Sequence, residues 1–323
     1  MSAVLIVRPS SMGDVVYALA IVSDVRRHRP ELAIDWIAEP GFVPLVRMCP
    51  EIRKVVPFAL RRWRRAPFAR ATWAALRDFR HELRTEPYIA ILNLQEQVKG
   101  ALIAQVARGI THGFDRASVR EPLAALFDDV HHRVDRNAHF IDRVRTLAGA
   151  ALEYPVDAPP TWRIEPPASA PDMPEQPYVV AIHSASRDDK LWPEGHWREL
   201  VAHFERAGFA TVLPWGSPAE EARSRRIADG FASTVVPRFL SLPDVAALLR
   251  HAELAVGVDT GFTHLSGALG TATAALFVST DRTRHGVAAT GTHARDLGDA
   301  GSPPSLDAVV AACGELARTI PND

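Results

Sequence analysis

The sequence predicts an α/β protein made of two doubly wound domains, each a parallel sheet flanked by helices. Three observations lead there. Short apolar runs alternate with helical stretches, a proline-dense segment divides the chain, and the most distinctive loops follow directly after apolar strands. At 323 residues, with 47% hydrophobic and 23% charged content, the chain can form two cores of roughly 150 residues each.

Ala3-Val4-Leu5-Ile6-Val7 is a continuous apolar run, expected to be a strand buried on both faces. A loop then leads into a helix expected over 14–28. Further strands are expected over 33–37, 54–57 and 89–94, with helices over 71–84 and 99–107. Pro155, Pro159, Pro160, Pro166, Pro167, Pro171 and Pro174 give the next stretch the composition of a linker, so the domains are expected at 1–160 and 161–323. The second series has strands over 178–182, 210–214, 234–236, 254–258 and 273–277. Its helices are expected over 194–207, 218–229, 242–250 and 262–269. The domains should face one another across a cleft, with ligands beyond the carboxyl ends of the strands.

Composition excludes several classes. Cys49 and Cys313 are far apart and match no metal spacing, which suits a reducing cytoplasm. No run approaches the roughly 20 apolar residues of a membrane span, and the N-terminus lacks a signal-peptide profile. The net charge of −1 combines +5 over residues 1–160 with −6 over 161–323, so an acidic partner is expected at the first domain. Nucleic acid is disfavoured by the near-neutral total. His131-His132 are adjacent rather than three or four apart, and no metal set or Walker sequence occurs.

Two strand-to-helix corners carry the functional signal. At Val258-Asp259-Thr260-Gly261-Phe262-Thr263-His264, unpaired amides and a helix dipole favour an anion, with a carboxylate and an imidazole beside it. An ordinary turn with Asp259 as helix cap is the plainer alternative. At Ser10-Ser11-Met12-Gly13-Asp14, Gly13 would let the backbone turn tightly. Asp14 would open the first helix, either as a favoured N-terminal residue or as a general base. The dipole there should lower its pKa, keeping it ionised but weakening it as a base. The loop is not GxGxxG, which argues against a nicotinamide dinucleotide.

Three further segments add to this. In His183-Ser184-Ala185-Ser186-Arg187-Asp188-Asp189-Lys190, hydroxyls at Ser184 and Ser186 with the Lys190 cation suit a diphosphate, or form a solvated polar loop. Glu220, after Trp215-Gly216-Ser217, could accept from ribose hydroxyls or simply complement a helix dipole. Arg61-Arg62-Trp63-Arg64-Arg65 could grip an acidic acceptor, with Trp63 settling at a membrane interface.

These residues together resemble the ADP-heptose:lipopolysaccharide heptosyltransferases, glycosyltransferase family 9. The resemblance runs over nearly the whole chain: Arg8-Pro9-Ser10-Ser11-Met12-Gly13-Asp14, Arg61-Arg62-Trp63-Arg64, His112-Gly113-Phe114-Asp115, Arg120-Glu121-Pro122-Leu123-Ala124, Arg187-Asp188-Asp189-Lys190, Leu213-Pro214-Trp215-Gly216 and Val258-Asp259-Thr260-Gly261. It implies the GT-B fold, two Rossmann-like domains around a central cleft. The first would bind acceptor and the second ADP-heptose, with a C-terminal helix able to pack back on the first domain.

The resemblance also implies an inverting transfer of L-glycero-D-manno-heptose from ADP-heptose to a Kdo sugar of Kdo2-lipid A, without metal or cofactor. Asp14 matches the proposed base. Ser184, Ala185, Ser186, Lys190, Glu220, Leu240, Asp259, Thr260, Gly261 and His264 fall at donor positions. Ser11, Gly13, Arg61, Arg62, Arg64, Lys99 and Arg120 fall on the acceptor side. A peripheral place on the cytoplasmic face of a bacterial inner membrane follows from the lipid acceptor. The alternatives are a family branch using a heptose acceptor and a non-catalytic binder of nucleotide sugar or glycolipid. The Arg-Arg-Trp-Arg and Arg-Glu-Pro-Leu-Ala pieces favour the Kdo branch. Departures occur at Ala185, where relatives commonly place a threonine, at Val278-Ser279, and at Glu96, expected to put a negative charge near the acidic acceptor.

Overall fold

The computed structural model describes residues 2–318, so Met1 and the last five residues of the expected second domain lie outside the description. The chain divides into two compact units after Arg163, within the proline-rich stretch, which forms no helix or strand between Leu152 and Tyr178.

The first unit runs β1 (Ala3–Val7), α1 (Met12–His28), β2 (Ala33–Ala38), α2 (Val43–Arg47), β3 (Ile52–Pro57), α3 (Leu60–Arg65) and α4 (Arg70–Glu82). It continues with β4 (Tyr88–Asn93), α5 (Val98–Ala104), β5 (Gly109–Phe114), β6 (Val130–His132) and α6 (Phe140–Leu152). All six strands are parallel, in the order β3-β2-β1-β4-β5-β6. Every residue of β1 is buried, as its unbroken apolar run requires when helices cover both faces. Leu5 and Val7 share a core with Ile37, Phe79 and Ile103.

The second unit repeats the plan. It comprises β7 (Tyr178–Ile182), α7 (Glu194–Arg206), β8 (Ala210–Val212), α8 (Pro218–Ala228), β9 (Thr234–Val235) and α9 (Leu242–Arg250). Then follow β10 (Leu254–Val258), α10 (Gly261–Ala268), β11 (Thr273–Phe277), α11 (Arg282–His285), β12 (Ala294–Gly298) and α12 (Leu306–Arg318). Its parallel sheet has the order β12-β11-β10-β7-β8-β9. The apolar face of α12 packs within its own unit. Val309, Cys313 and Leu316 of α12 are buried in the second unit's own core with Trp197 and Leu276.

Counted within its own unit, each sheet has the strand order 3-2-1-4-5-6. The order therefore reverses beside the unit's first and fourth strands, where doubly wound sheets open a crevice beyond the strand ends. The switch points are β1/β4 and β7/β10.

Candidate functional site

In the first unit the loop leaving β1 carries Arg8 to Ser11 into α1. Arg8 is 4% exposed. Its Nη2 pairs with Asp14 Oδ2 at 2.7 Å, its Nη1 donates to the Leu94 carbonyl just beyond β4, and its guanidinium lies 4.7 Å from the Phe140 ring centre. One arginine thus ties the two strand ends of the switch point to the acid between them. Ser11 caps α1, and Asp14 Oδ2 accepts from its backbone N at 3.0 Å and from its Oγ at 2.8 Å. Burial alone would raise the Asp14 pKa. The Arg8 charge and the Ser11 hydrogen bonds outweigh it and hold the carboxyl at about 2.

Asp14 is therefore both the structural helix-start residue and an ionised carboxylate. Its hydrogen bonds and ion pair all fall on Oδ2 among the described residues, which leaves Oδ1 to accept from a ligand. Gly13 lies inside the first turn of α1 with helical backbone, so the tight turn expected there is not formed. Lys99 of α5 donates to Ser10 Oγ at 3.4 Å, which joins the loops after β1 and β4.

Two expectations for this unit are corrected. Glu96 adds no uncompensated negative charge: it is 8% exposed and accepts both Arg143 Nη1 and Nη2, at 2.8 and 3.0 Å. Arg143 also donates to the Ser118 carbonyl at 2.8 Å, so the pair is neutral and buried. Trp63 does not reach a membrane interface. It is 6% exposed and packs edge-on against Phe58, with Phe79 also in contact. A six-residue helix with four arginines offers the core two large apolar residues, and both turn inward, Trp63 buried and Leu60 partly so.

Arg61, Arg62 and Arg64 remain exposed, as does Arg120; Arg61 approaches Glu39 at 3.4 Å. Glu121, next to Arg120, accepts from Val98 N at 2.9 Å, which brings the Arg120 segment to the start of α5 beside Lys99.

In the second unit the switch point is again bridged by a cation and a carboxylate. Lys190, after β7, places Nζ 2.5 Å from Asp259 Oδ2, after β10. Asp259 Oδ1 meets His264 Nε2 at 3.0 Å. Asp259 and His264 are 6% and 5% exposed. Burial of Asp259 opposes its charge, but the His264 contact and the Lys190 pair prevail and keep it far below the usual carboxylate range. Thr260, not Asp259, caps α10, accepting from Phe262 N at 3.3 Å. The Asp259 side chain is thereby freed for Lys190 and His264, and Gly261 begins the helix.

His183, fully buried, joins Ser184 Oγ at 2.8 Å to Ser224 Oγ at 2.7 Å, and burial with the Arg223 charge pushes its pKa down to about 3. Ser184 is held by this neutral imidazole. Ser186 is exposed, and Ala185 packs against the core. Glu220 Oε2 accepts from Gly216 N at 2.7 Å, beyond β8, and buried Leu240 lies between β9 and α9. The expected donor residues thus lie on the segments that follow β7, β8, β9 and β10, with Glu220 in α8 and Gly261 and His264 in α10. Sequence reasoning did not identify Arg8, His183 or Arg143 as partners. Arg8 alone left a signal, as the charge that ends an apolar strand.

Among the described residues no group of three or more His, Cys, Asp and Glu side chains is placed to hold a metal ion.

The model of glycosyltransferase family 9 (heptosyltransferase) matches residues 76–300. Lipopolysaccharide heptosyltransferase 1 of Escherichia coli K12 is 39% identical over 276 residues, covering 82% of this chain and 84% of that protein. The structure of the E. coli heptosyltransferase WaaC with ADP superposes with a TM-score of 0.88 at 34% identity, covering 98% of this chain and 100% of that one. The same enzyme with ADP-2-deoxy-2-fluoro heptose gives 0.84 at 33% identity, with 98% and 100% covered. Two parallel six-stranded sheets with this strand order, carried in one chain with these motifs, are those of a GT-B glycosyltransferase, and the chain belongs to glycosyltransferase family 9, the heptosyltransferases.

Proposed function

We propose that this enzyme transfers L-glycero-D-manno-heptose from ADP-heptose to the first Kdo of Kdo2-lipid A, in assembly of the lipopolysaccharide inner core. The name of the E. coli relative, a lipopolysaccharide heptosyltransferase, supports a lipopolysaccharide acceptor, and the heptose-nucleotide analogue held by the WaaC structure supports this donor. The observation that carries the mechanism is the Asp14 carboxylate, ionised by Arg8 and keeping Oδ1 open.

The acceptor hydroxyl attacks the anomeric carbon of heptose. As that C–O bond forms, the bond from the anomeric carbon to the diphosphate breaks, its electron pair leaves with ADP, and the configuration inverts. The hydroxyl proton passes to Asp14 Oδ1. A base with so low a pKa accepts late, once bond formation has made the hydroxyl strongly acidic. Lys190 supplies positive charge to the leaving diphosphate, with the Thr260 and Gly261 amides at the start of α10. Asp259 and His264 position Lys190 and the sugar, Ser184, Ala185 and Ser186 line the diphosphate, and Glu220 with Leu240 takes the nucleoside. Ser11, Gly13, Lys99 and Arg120 meet the anionic sugar.

Arg61, Arg62 and Arg64 draw the first unit to an anionic membrane surface, where each basic residue is worth about 1 kcal/mol. The lipid acceptor places this contact at the periphery of the cytoplasmic face; no helix among the described residues is long and apolar enough to cross a membrane. Incubation with ADP-heptose and either Kdo-terminated or heptose-terminated lipid A acceptors tests the assignment. A heptosylated product from the Kdo acceptor alone is expected; product from the heptose acceptor alone would move the enzyme to another step.

A further inference from the structure

The first unit contains an apolar cavity that the proposed transfer does not use. It lies between α3–α4 and α5, with a volume of about 350 Å³, the lower end of the range for small-molecule pockets. Phe58, Phe79 and Ile103, all at least 90% buried, line its inner side, and half-buried Leu76 and Val106 line it as well. Among the described residues its only charged lining residues are two cations, Arg80 and Lys99. Leu102, 51% exposed, also lines it, and Phe68 and Trp73, 93% and 63% exposed, stand on or beside α4. An apolar cavity with a purely cationic polar lining, flanked by the exposed arginines of α3, matches an alkyl chain carried by an anionic head. It does not match a sugar, which would leave hydroxyls unpaired against phenylalanine and leucine.

Lys99 decides between a bulk lipid and the acceptor itself. It lines this cavity and also donates to Ser10 Oγ in the loop that leads to Asp14. The cavity therefore begins within one lysine side chain of the loop that leads into the Asp14 helix. We propose that it receives one acyl chain of the acceptor glycolipid, so that the enzyme reads the lipid anchor as well as the sugar. This inference rests on the lipid A acceptor proposed above.

Burying one methylene changes affinity roughly fourfold, so excluding two changes it by about an order of magnitude. Leu76→Trp and, separately, Val106→Phe should fill the cavity. Each is expected to raise KM for fully acylated Kdo2-lipid A about tenfold while leaving KM for the deacylated acceptor and for ADP-heptose unchanged. Equal KM changes for both acceptors in both variants, or none for either, would overturn the proposal. Acylated Kdo2-lipid A carrying a diazirine at the end of an acyl chain gives a readout independent of turnover. Irradiation should yield adducts on Leu76, Leu102, Ile103 or Val106, and adducts confined to other residues would reject the site. If cross-links land in the cavity but neither acceptor is glycosylated, the transfer assignment fails while the acyl site stands. If anionic phospholipid vesicles without acceptor abolish the cross-links, the cavity belongs to bulk lipid and the acceptor-chain proposal is wrong.

Discussion

Replacing Arg8 by methionine should change both the stability of the first unit and the acid limb of its activity. The guanidinium sits 2.7 Å from Asp14 Oδ2, with the two side chains 5% and 24% exposed. In the folded protein Asp14 ionises at about 2 rather than the ordinary 3.8, a difference worth about 2 kcal/mol. Because the folded pKa is the lower one, this stabilisation is present above pH 4 and disappears as pH falls through about 2. Without Arg8 the largest influence left on Asp14 is burial, which raises its pKa. Only the Ser11 hydrogen bonds then oppose it, so most of the stabilisation from the ionised carboxylate is lost at neutral pH. The Leu94 carbonyl also loses its donor. Together these give an expected cost of about 3 kcal/mol at pH 7, within the range for breaking a buried ion pair.

Hydrogen exchange of the β1 and β4 amides reads this unit separately from the other. The difference between wild type and variant should be full at pH 7 and shrink towards pH 2. The acid limb of kcat/KM should move to higher pH in the variant. A variant within 1 kcal/mol of wild type at pH 7, with an unmoved acid limb, would refute the idea that Arg8 sets the state of Asp14.

Other substitutions separate charge, packing and ligand contact. Asp259→Asn removes the counter-charge of Lys190 and the partner of His264, and is expected to raise KM for ADP-heptose at least tenfold with little effect on KM for acceptor, read by initial rates. Glu96→Gln leaves Arg143 buried without its anion and should cost roughly 3–5 kcal/mol in denaturant unfolding; an unchanged midpoint would show that the pair contributes nothing. Trp63→Ala should destabilise by about 3–5 kcal/mol without altering vesicle binding of the folded fraction. The triple change Arg61→Ser, Arg62→Ser, Arg64→Ser should do the reverse, and binding to phosphatidylserine vesicles at low and high salt distinguishes the two.

The fold was legible where one physical signal dominated. Strands such as Ala3–Val7 and Leu254–Val258 are buried on both faces and read as unbroken apolar runs. Strands β5, β6 and β12 read Gly-Ile-Thr-His-Gly-Phe, Val-His-His and Ala-Arg-Asp-Leu-Gly, and went unseen. They lie at or next to sheet edges, where exposure removes the apolar signature. Much of the candidate site was legible as well, because loops after the first and fourth strands of a doubly wound sheet must meet. Partner choice was not. Arg143 reaches Glu96 across 47 positions, and Lys190 reaches Asp259 across 69; no local spacing encodes such pairs. Trp63 shows the complementary error, since four flanking arginines suggested a membrane-facing tryptophan where the side chain packs into the core.

The most direct test is acceptor-dependent ADP release from ADP-heptose and deacylated Kdo2-lipid A, comparing wild type with Asp14→Ala. The expected result is release by wild type that requires the acceptor and is abolished in the variant, while the variant still binds ADP through the second unit. Equal release by both proteins would contradict Asp14 as the base, and no acceptor-dependent release by wild type would contradict the transfer itself.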